Sequence, residues 1–281
     1  MQTASKGSDC VRRTPDAAGL SVEFRDVSIR FGPFLAVANV SLKIEPGEFV
    51  CLVGPSGCGK STLLNVAAGF LAVNRDAGAE IEGEVLVDGV PVRKPDVSRG
   101  VVFQSSGALF PWLSVRQNVE YGPRLQGIRG RRLRELSDQY IELVGLGSAA
   151  ERFPGQLSGG MQQRVQLARV LANQPRVVFM DEPLGALDAQ TRAVLQGEIE
   201  RLWLETGSTV VFVTHDLDEA IKLADRIVIM TAGPAAGIKS VHKTTQTRPR
   251  DDTEPYHVEL RKKLWNDISD EVLKTLKMQK D

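Results

Sequence analysis

The sequence predicts an α/β fold organised around a mainly parallel sheet, and two observations support this fold class. Continuous apolar runs of strand length recur at residues 49–53, 177–180, 210–213 and 227–230, as expected for strands that are buried on both faces. Helical periodicity occupies the stretches between the later runs. Strands that alternate with crossover helices are the pattern of a parallel sheet.

The N-terminal part of the chain follows a different period. Apolar residues alternate along residues 22–31 and again at 42–44, which indicates strands that are buried on one face. Residues 85–87 lead into Asp88 and Gly89, a dipeptide that favours a hairpin turn. These strands predict an antiparallel β subdomain ahead of the main sheet.

The spacing of apolar residues becomes helical at 114–171, and we expect an inserted α-helical subdomain at about residues 105–171. The domain as a whole is predicted to span residues 20–232, after a flexible polar tail at 1–19. A C-terminal extension, residues 233–281, follows. Its apolar residues recur every four positions and predict an amphipathic helix that packs on the domain: Leu260, Leu264, Ile268, Val272 and Leu276.

The composition argues against several classes of function. Lys plus Arg and Asp plus Glu both number 35, so net charge gives no argument for nucleic acid as a partner. The cysteines Cys10, Cys51 and Cys58 match neither a disulfide framework nor a metal-ligand spacing, which favours a reducing cytoplasm. The sequence has no secretory apolar region and no run that approaches the ~18 apolar residues of a membrane span. We therefore expect a soluble chain that reaches a membrane only through a partner.

A phosphate-binding loop follows the first continuous run. Its residues match the pattern G-x-x-x-x-G-K-[ST] and the position after it: Gly54, Pro55, Ser56, Gly57, Cys58, Gly59, Lys60, Ser61 and Thr62. Glycines let successive backbone N–H groups point at phosphate oxygens, and the following helix offers its positive end. Lys60 is expected to reach the β- and γ-phosphates of a nucleotide, and the Ser61 hydroxyl to ligate Mg²⁺. Cys58 is interpreted as a small filler.

Two acidic residues end the run at 177–180. Asp181 and Glu182 stand where a buried parallel strand delivers side chains to the ligand-binding edge of a sheet. Asp181 would hold Mg²⁺, and Glu182 would orient or deprotonate the attacking water, as a general base does. Pro183 ends the strand and fixes the backbone. The chain is therefore predicted to hydrolyse a nucleotide.

A second glycine-rich helix start lies at Ser158, Gly159 and Gly160. Ser158 suits a helix cap, and a helix end with serine and glycine N–H groups is also an anion site. One nucleotide does not need two such helix ends from one chain. We therefore expect each copy to present this end to the nucleotide that another copy holds.

These motifs resemble those of the ATP-binding subunits of ABC transporters, from about Leu20 to Met230. They stand in the order of that family: the phosphate loop, Gln104 after a short strand, the signature segment LSGG at 157–160, the strand that ends in Glu182, then Asp188, and His215 after another strand. The resemblance implies a P-loop NTPase core, ATP and Mg²⁺ as cofactors, and a homodimer that clamps two ATP molecules.

The resemblance also implies roles for single residues. Gln104 would ligate Mg²⁺ and link it and the attacking water to the helical subdomain, Asp188 would communicate across the dimer, and His215 would contact the γ-phosphate. Phe31 would stack on adenine, although family members often have Tyr there and a core position is the alternative. Met161 replaces the commoner glutamine after the signature segment and leaves Ser158 and Gly160 intact.

A narrower similarity joins residues 107–114 and 248–253 to the nitrate, sulfonate and taurine branch of bacterial importers. Phe110 and Trp112 in the first segment are either covered by a partner or buried within the helical subdomain. The branch implies an ATPase homodimer under transmembrane permease subunits, on the cytoplasmic face of the inner membrane, fed by a separate substrate-binding protein. The alternatives are export, or a soluble ABC-type ATPase that acts on nucleic acid or protein complexes. We find no Asn-Lys-x-Asp motif, which disfavours a GTPase.

Overall fold

A computed structural model of the protein describes residues 19–73, 78–104 and 108–278. The flexible tail expected at 1–19 lies outside these residues, except for Gly19. Within the described part, six strands form a larger sheet and four strands form a smaller one. The predicted α/β class is confirmed, with the antiparallel strands and the helices arranged around the larger sheet.

The larger sheet has the order β10-β9-β3-β8-β7-β6. All neighbours are parallel except β10, which is antiparallel to β9. The strand bounds are β3 Phe49–Val53, β6 Arg99–Val102, β7 Val177–Asp181, β8 Thr209–Val213, β9 Arg226–Met230 and β10 Ile238–Lys243. Strands β3, β7 and β8 are buried along their whole length, as their continuous apolar runs predict.

The smaller sheet is antiparallel in the order β2-β1-β4-β5. Its strands are β1 Val22–Phe31, β2 Phe34–Ile44, β4 Ala79–Val87 and β5 Val90–Pro91. Asp88 and Gly89 make the turn between β4 and β5 with positive φ angles of 52° and 75°. The hairpin predicted from this dipeptide is therefore confirmed.

The helices connect and cover the strands. They are α1 Lys60–Ala68, α2 Phe70–Val73, α3 Val115–Leu125, α4 Gly130–Leu143, α5 Gly159–Leu171, α6 Ala189–Thr206, α7 Leu217–Leu223 and α8 Pro255–Met278. Helices α3, α4 and α5 pack on one another and form the predicted helical insertion between β6 and β7.

The larger sheet separates two hydrophobic cores. Because side chains alternate along a strand, Val50 and Leu52 face the core that β1, β2 and α1 build. Phe49, Cys51 and Val53 face the other core, which the helices from α3 to α8 cover. The carboxyl end of β3 thus emerges between the two layers, where the phosphate loop begins.

Residues after 233 complete the sheet in a way that the sequence did not predict. Strand β10 alternates intermediate and exposed residues and was not recognised as a strand. The same stretch contains α8, whose residues Leu260, Leu264 and Ile268 are buried in the core. Among the described residues, no helix is long and apolar enough to cross a membrane.

Candidate nucleotide-binding site

The phosphate loop joins the end of β3 to the first turn of α1. Gly59 caps α1 with a left-handed backbone (φ 88°), and no described side chain caps that helix. A Cβ at Gly59 would stand 2.5 Å from Val37 Cγ2, so a larger residue fits neither the backbone angle nor the space. The loop therefore leaves the positive end of α1 to backbone groups alone, which suits a phosphate.

Lys60 is buried inside this loop. Its Nζ donates to the carbonyl oxygens of Gly54 at 2.7 Å and Pro55 at 2.9 Å. The Cys58 thiol is also buried, and burial raises its pKa. Cys58 thus fills space within the loop, as expected, while Lys60 holds its charge among oxygens that a phosphate can replace.

Asp181 lies beside the loop, at the end of β7. The Ser61 hydroxyl donates a hydrogen bond to its carboxylate, and burial nevertheless raises the pKa of Asp181. The other carboxylate oxygen, Oδ1, is buried without a hydrogen-bond partner. A buried carboxylate oxygen that lacks a donor is costly unless a cation binds it. Ser61 and Asp181 therefore fit a Mg²⁺ ion.

Two other predicted site residues contact the side chain of Glu182. Gln104 Nε2 donates to Glu182 Oε2 at 3.0 Å, and His215 Nδ1 lies 3.4 Å from the same oxygen. These three residues come from the ends of β6, β7 and β8, which are neighbours in the sheet. The sheet therefore brings together at one edge side chains that are far apart in the sequence.

Asp188 has a local structural role. Its carboxylate accepts hydrogen bonds from the Thr191 N–H at 2.9 Å and the Thr191 hydroxyl at 2.8 Å, and it caps α6. These hydrogen bonds lower the pKa of Asp188. The structure therefore fixes where α6 begins, and the proposed role of Asp188 between copies stays a prediction.

The signature segment lies at the exposed start of α5. The Ser158 Oγ accepts from the Met161 N–H at 3.3 Å, as predicted for a cap. Ser158 and Gly159 are exposed, and a Cβ at Gly159 would meet nothing within 4 Å. Helix α5 packs against α3, α4 and β6, whereas α1 packs against β2, β4 and strands of the larger sheet. The two candidate anion sites thus belong to different parts of the chain.

Phe31 ends β1 and packs against the core that the smaller sheet shares with α1. It is half-buried, and its pairing partner across the β1–β2 turn, Phe34, is 50 % exposed. Its half-buried position is compatible with both the adenine-stacking interpretation and the core alternative. The role of Phe31 stays a prediction.

The sequence did not predict that Gln163, a polar residue of α5, lies at this site. Gln163 Nε2 donates to the main-chain oxygen of Glu182 at 3.2 Å. A signal was available, because Gln163 shares a helix face with Leu167 and Val170. A polar residue at a position of apolar periodicity needs a buried partner.

Known proteins provide an independent comparison. A family model described as ABC transporter matches residues 37–185. An uncharacterized ABC transporter ATP-binding protein of Methanocaldococcus jannaschii is 48 % identical and aligns over 86 % of this chain and 87 % of that relative. The chain belongs to the ABC transporter family. It is an ATP-binding subunit with ATPase activity, as the motifs predict.

Other similarities are consistent with the narrower resemblance. A taurine import ATP-binding protein of Ruegeria pomeroyi is 46 % identical over 77 % of this chain and 79 % of that relative. A nitrate import ATP-binding protein of Synechococcus elongatus is 45 % identical over 78 % of each. A solved dimeric ATP-binding cassette bound to ADP and Pi matches with a TM-score of 0.68 at 33 % identity, covering 80 % of this chain and 100 % of that one. The predicted P-loop NTPase fold is confirmed.

Proposed function

We propose that the protein drives an ABC importer for a small anion such as nitrate, taurine or another sulfonate. The observation that carries this proposal is the convergence of Gln104, Glu182 and His215 beside the phosphate loop, in a chain similar to taurine and nitrate import ATP-binding proteins. In this proposal residues 20–232 form the ATPase domain, with the helical subdomain at about 105–171. The extension 233–281 braces it.

The residues of the loop bind and orient the triphosphate of ATP. Backbone N–H groups of the loop after Pro55 and the charge of Lys60 hold its phosphates. Ser61, Asp181 and Gln104 would hold Mg²⁺, which when bound neutralises charge on the phosphate oxygens. Asp181 must be ionised for this, so its raised pKa makes metal binding weaken early as the pH falls.

Glu182 accepts the proton of the attacking water. Only the ionised carboxylate can do so, and the Gln104 amide orients it by donating to its Oε2 atom. His215 is 69 % exposed, so its ring is free to turn toward the γ-phosphate once ATP occupies the loop. Proton transfer of this kind typically contributes a factor of about 10²–10⁴ to the rate.

Two copies form the complete sites. The exposed start of α5 offers Ser158 and Gly160 to the γ-phosphate that the phosphate loop of the other copy holds. Dimer closure then depends on ATP, and hydrolysis reopens the dimer. Asp188, at the start of α6, would report closure from one site to the other.

A patch of three aromatic residues and one leucine on the helical subdomain is the proposed permease contact. It consists of Phe110, Trp112, Tyr121 and Leu125. Trp112 and Leu125 are 70 % and 73 % exposed, and the Phe110 ring lies 5.6 Å from Trp112 and 4.7 Å from Tyr121. Such a cluster is a liability unless a partner covers it. We place the protein on the cytoplasmic face of the inner membrane, under permease subunits that a separate binding protein supplies.

Co-expression with the permease tests this function. Phe110→Ser with Trp112→Ser should weaken co-fractionation with membranes and leave ATP binding intact. Trp265→Ser is the matched control, since Trp265 is 58 % exposed on α8 and outside the patch. In proteoliposomes, binding protein loaded with taurine or nitrate should stimulate the ATPase. Unchanged co-fractionation of the double variant would remove the patch from the interface, and no stimulation by any small anion would contradict the substrate class.

A further inference from the structure

The side-chain amide of Gln163 connects α5 to the backbone of Glu182. The residue is 3 % exposed, and its Nε2 donates to the main-chain oxygen of Glu182 at 3.2 Å. It lies on α5, one turn after Gly160. It therefore connects the helix that carries the signature segment with the backbone of the water-activating residue in the same chain.

The backbone of Glu182 needs such support. Its φ angle is +45°, a left-handed conformation that is unfavourable for a residue with a side chain. The surrounding structure must hold a residue in this conformation. The Glu182 N–H donates to the Val213 oxygen at 3.0 Å, and the Glu182 oxygen accepts from the Gly185 N–H at 3.2 Å as well as from Gln163.

A second contact joins α5 to the same loop. A Cβ at Gly160 would stand 3.1 Å from Leu187 Cδ2 and 3.4 Å from the Ala186 oxygen. The segment between Glu182 and Asp188 thus rests on the first two turns of α5. Together with the Gln163 hydrogen bond, this close approach links the start of α5 to the segment that follows Glu182.

We propose that Gln163 is a positioning residue that sets the direction of the Glu182 carboxylate. When Ser158 of a chain contacts the nucleotide held by the other copy, Gln163 changes the position of the Glu182 carboxylate in the same chain. That carboxylate acts on the second nucleotide of the dimer. The inference rests on the proposed role of Glu182. If Glu182→Gln retains full turnover, the proposed function fails. If that variant is inactive and Gln163 variants are normal, only the present inference fails.

The first experiment replaces the amide by an apolar side chain of similar size. Gln163→Leu should lower kcat about tenfold to a hundredfold, because an error of about 1 Å in the position of a reacting group has effects of this order. ATP affinity, measured at equilibrium, should stay within about twofold. The matched control is Gln196→Leu, since Gln196 is also buried and donates to Glu219 instead. Equal losses in both variants would indicate a general packing defect and overturn the proposal.

The second experiment asks whether Gln163 acts through Glu182. In a Glu182→Gln background, Gln163→Leu should leave the residual turnover within about twofold, because effects on one shared element are not additive. A full additional loss in that background would show that Gln163 acts elsewhere, and would contradict the positioning role.

The third experiment restores the hydrogen-bond donor at position 163 by protonation. Gln163→Glu keeps the shape of the side chain, but the introduced carboxyl can donate to the Glu182 oxygen only when it is protonated. The rate of this variant relative to the wild type should therefore rise as the pH falls from 8 to 6, where burial favours the protonated form. The same ratio for Gln163→Leu should stay flat. A flat ratio for both variants would overturn the proposal.

Discussion

The two candidate anion sites both lie at glycine-flanked helix starts, those of α1 and α5, yet their surroundings differ. Helix α1 begins inside the fold: Lys60 is buried and its charge already contacts carbonyl oxygens. Helix α5 begins in the open, with Ser158 and Gly159 exposed. The first end is complete as a phosphate site within its own chain. The second end has the chemistry for an anion and is open to solvent at Ser158 and Gly159, so we propose that a second copy completes it.

The largest loss of turnover is expected when the Glu182 carboxylate is replaced. Glu182→Gln should reduce turnover by about 10²–10⁴, because a general base is lost, while ATP binding persists. An ATP-bound dimer should accumulate, as seen by size-exclusion chromatography with labelled nucleotide. Near-normal turnover of the purified variant would remove Glu182 from the mechanism.

Substitutions at the starts of α1 and α5 distinguish the roles of these two helix ends. Lys60→Ala should weaken ATP binding to the isolated chain, because the charge that holds the phosphates is lost. Ser158→Arg should leave that binding within about twofold and still abolish turnover, since a long cationic side chain blocks closure and repels Mg²⁺. For each variant, equilibrium titration measures ATP binding and steady-state ATPase rates measure turnover.

A mixture of these two variants sharpens the comparison. In a mixed dimer, one site collects both lesions and the other collects neither. Partial recovery of turnover is expected from the intact site. If Ser158→Arg weakened ATP binding to the isolated chain as much as Lys60→Ala does, both ends would serve one nucleotide within one chain.

A smaller effect concerns stability at the α1 end. Burial raises the pKa of Asp181, so its ionised form destabilises the nucleotide-free protein above that pKa. Asp181→Asn should therefore raise Tm at pH 8, and the gain should shrink as the pH falls and the wild-type carboxyl becomes protonated. With ATP and Mg²⁺ the variant should gain less stability than the wild type. A lower Tm of the nucleotide-free variant at pH 8 would contradict this account.

The smallest effect on turnover is expected far from both ends, where α8 docks. Burial would raise the pKa of Glu271, but hydrogen bonds from Lys274, the Ala232 N–H and Lys239 lower it to about 2 from 4.5. Glu271 therefore stabilises the fold above pH about 4.5, and this contribution is lost as the pH falls toward 2. Glu271→Gln should cost roughly 2 kcal/mol at pH 7 in urea unfolding and leave kcat within about twofold.

The control on the same helix is Glu259→Gln. Glu259 is exposed and pairs only locally with Lys263, and exposed pairs contribute little. Its unfolding midpoint should stay close to that of the wild type. An equal loss in both variants would mean that the Glu271 contacts do not anchor α8.

Sequence patterns predicted the strands that are buried on both faces, the phosphate loop and the delivery of Asp181 and Glu182 to one edge of the sheet. Gln104 and His215 were assigned to the site by the family resemblance, and the structure places both beside the Glu182 carboxylate. The patterns did not predict β10, whose residues are half-exposed and carry Lys239 and Lys243. The left-handed backbone of Glu182 and its contact with Gln163 were also missed. The contact depends on where the start of α5 lies relative to the end of β7, and the spacing of residues along the chain does not encode that distance.

The central claim is that Ser158 of one copy meets the phosphate loop of another, and cross-linking tests it most directly. One chain would carry Ser158→Cys and a differently tagged chain Ser56→Cys, both with Glu182→Gln to hold the closed state and Cys10→Ser to remove a native thiol. With ATP and Mg²⁺, oxidation should join the two tagged chains, and without ATP it should not. A chain that carries both cysteines should form interchain links. Exclusively intrachain links in that chain, with no ATP-dependent link between the tagged chains, would contradict the account.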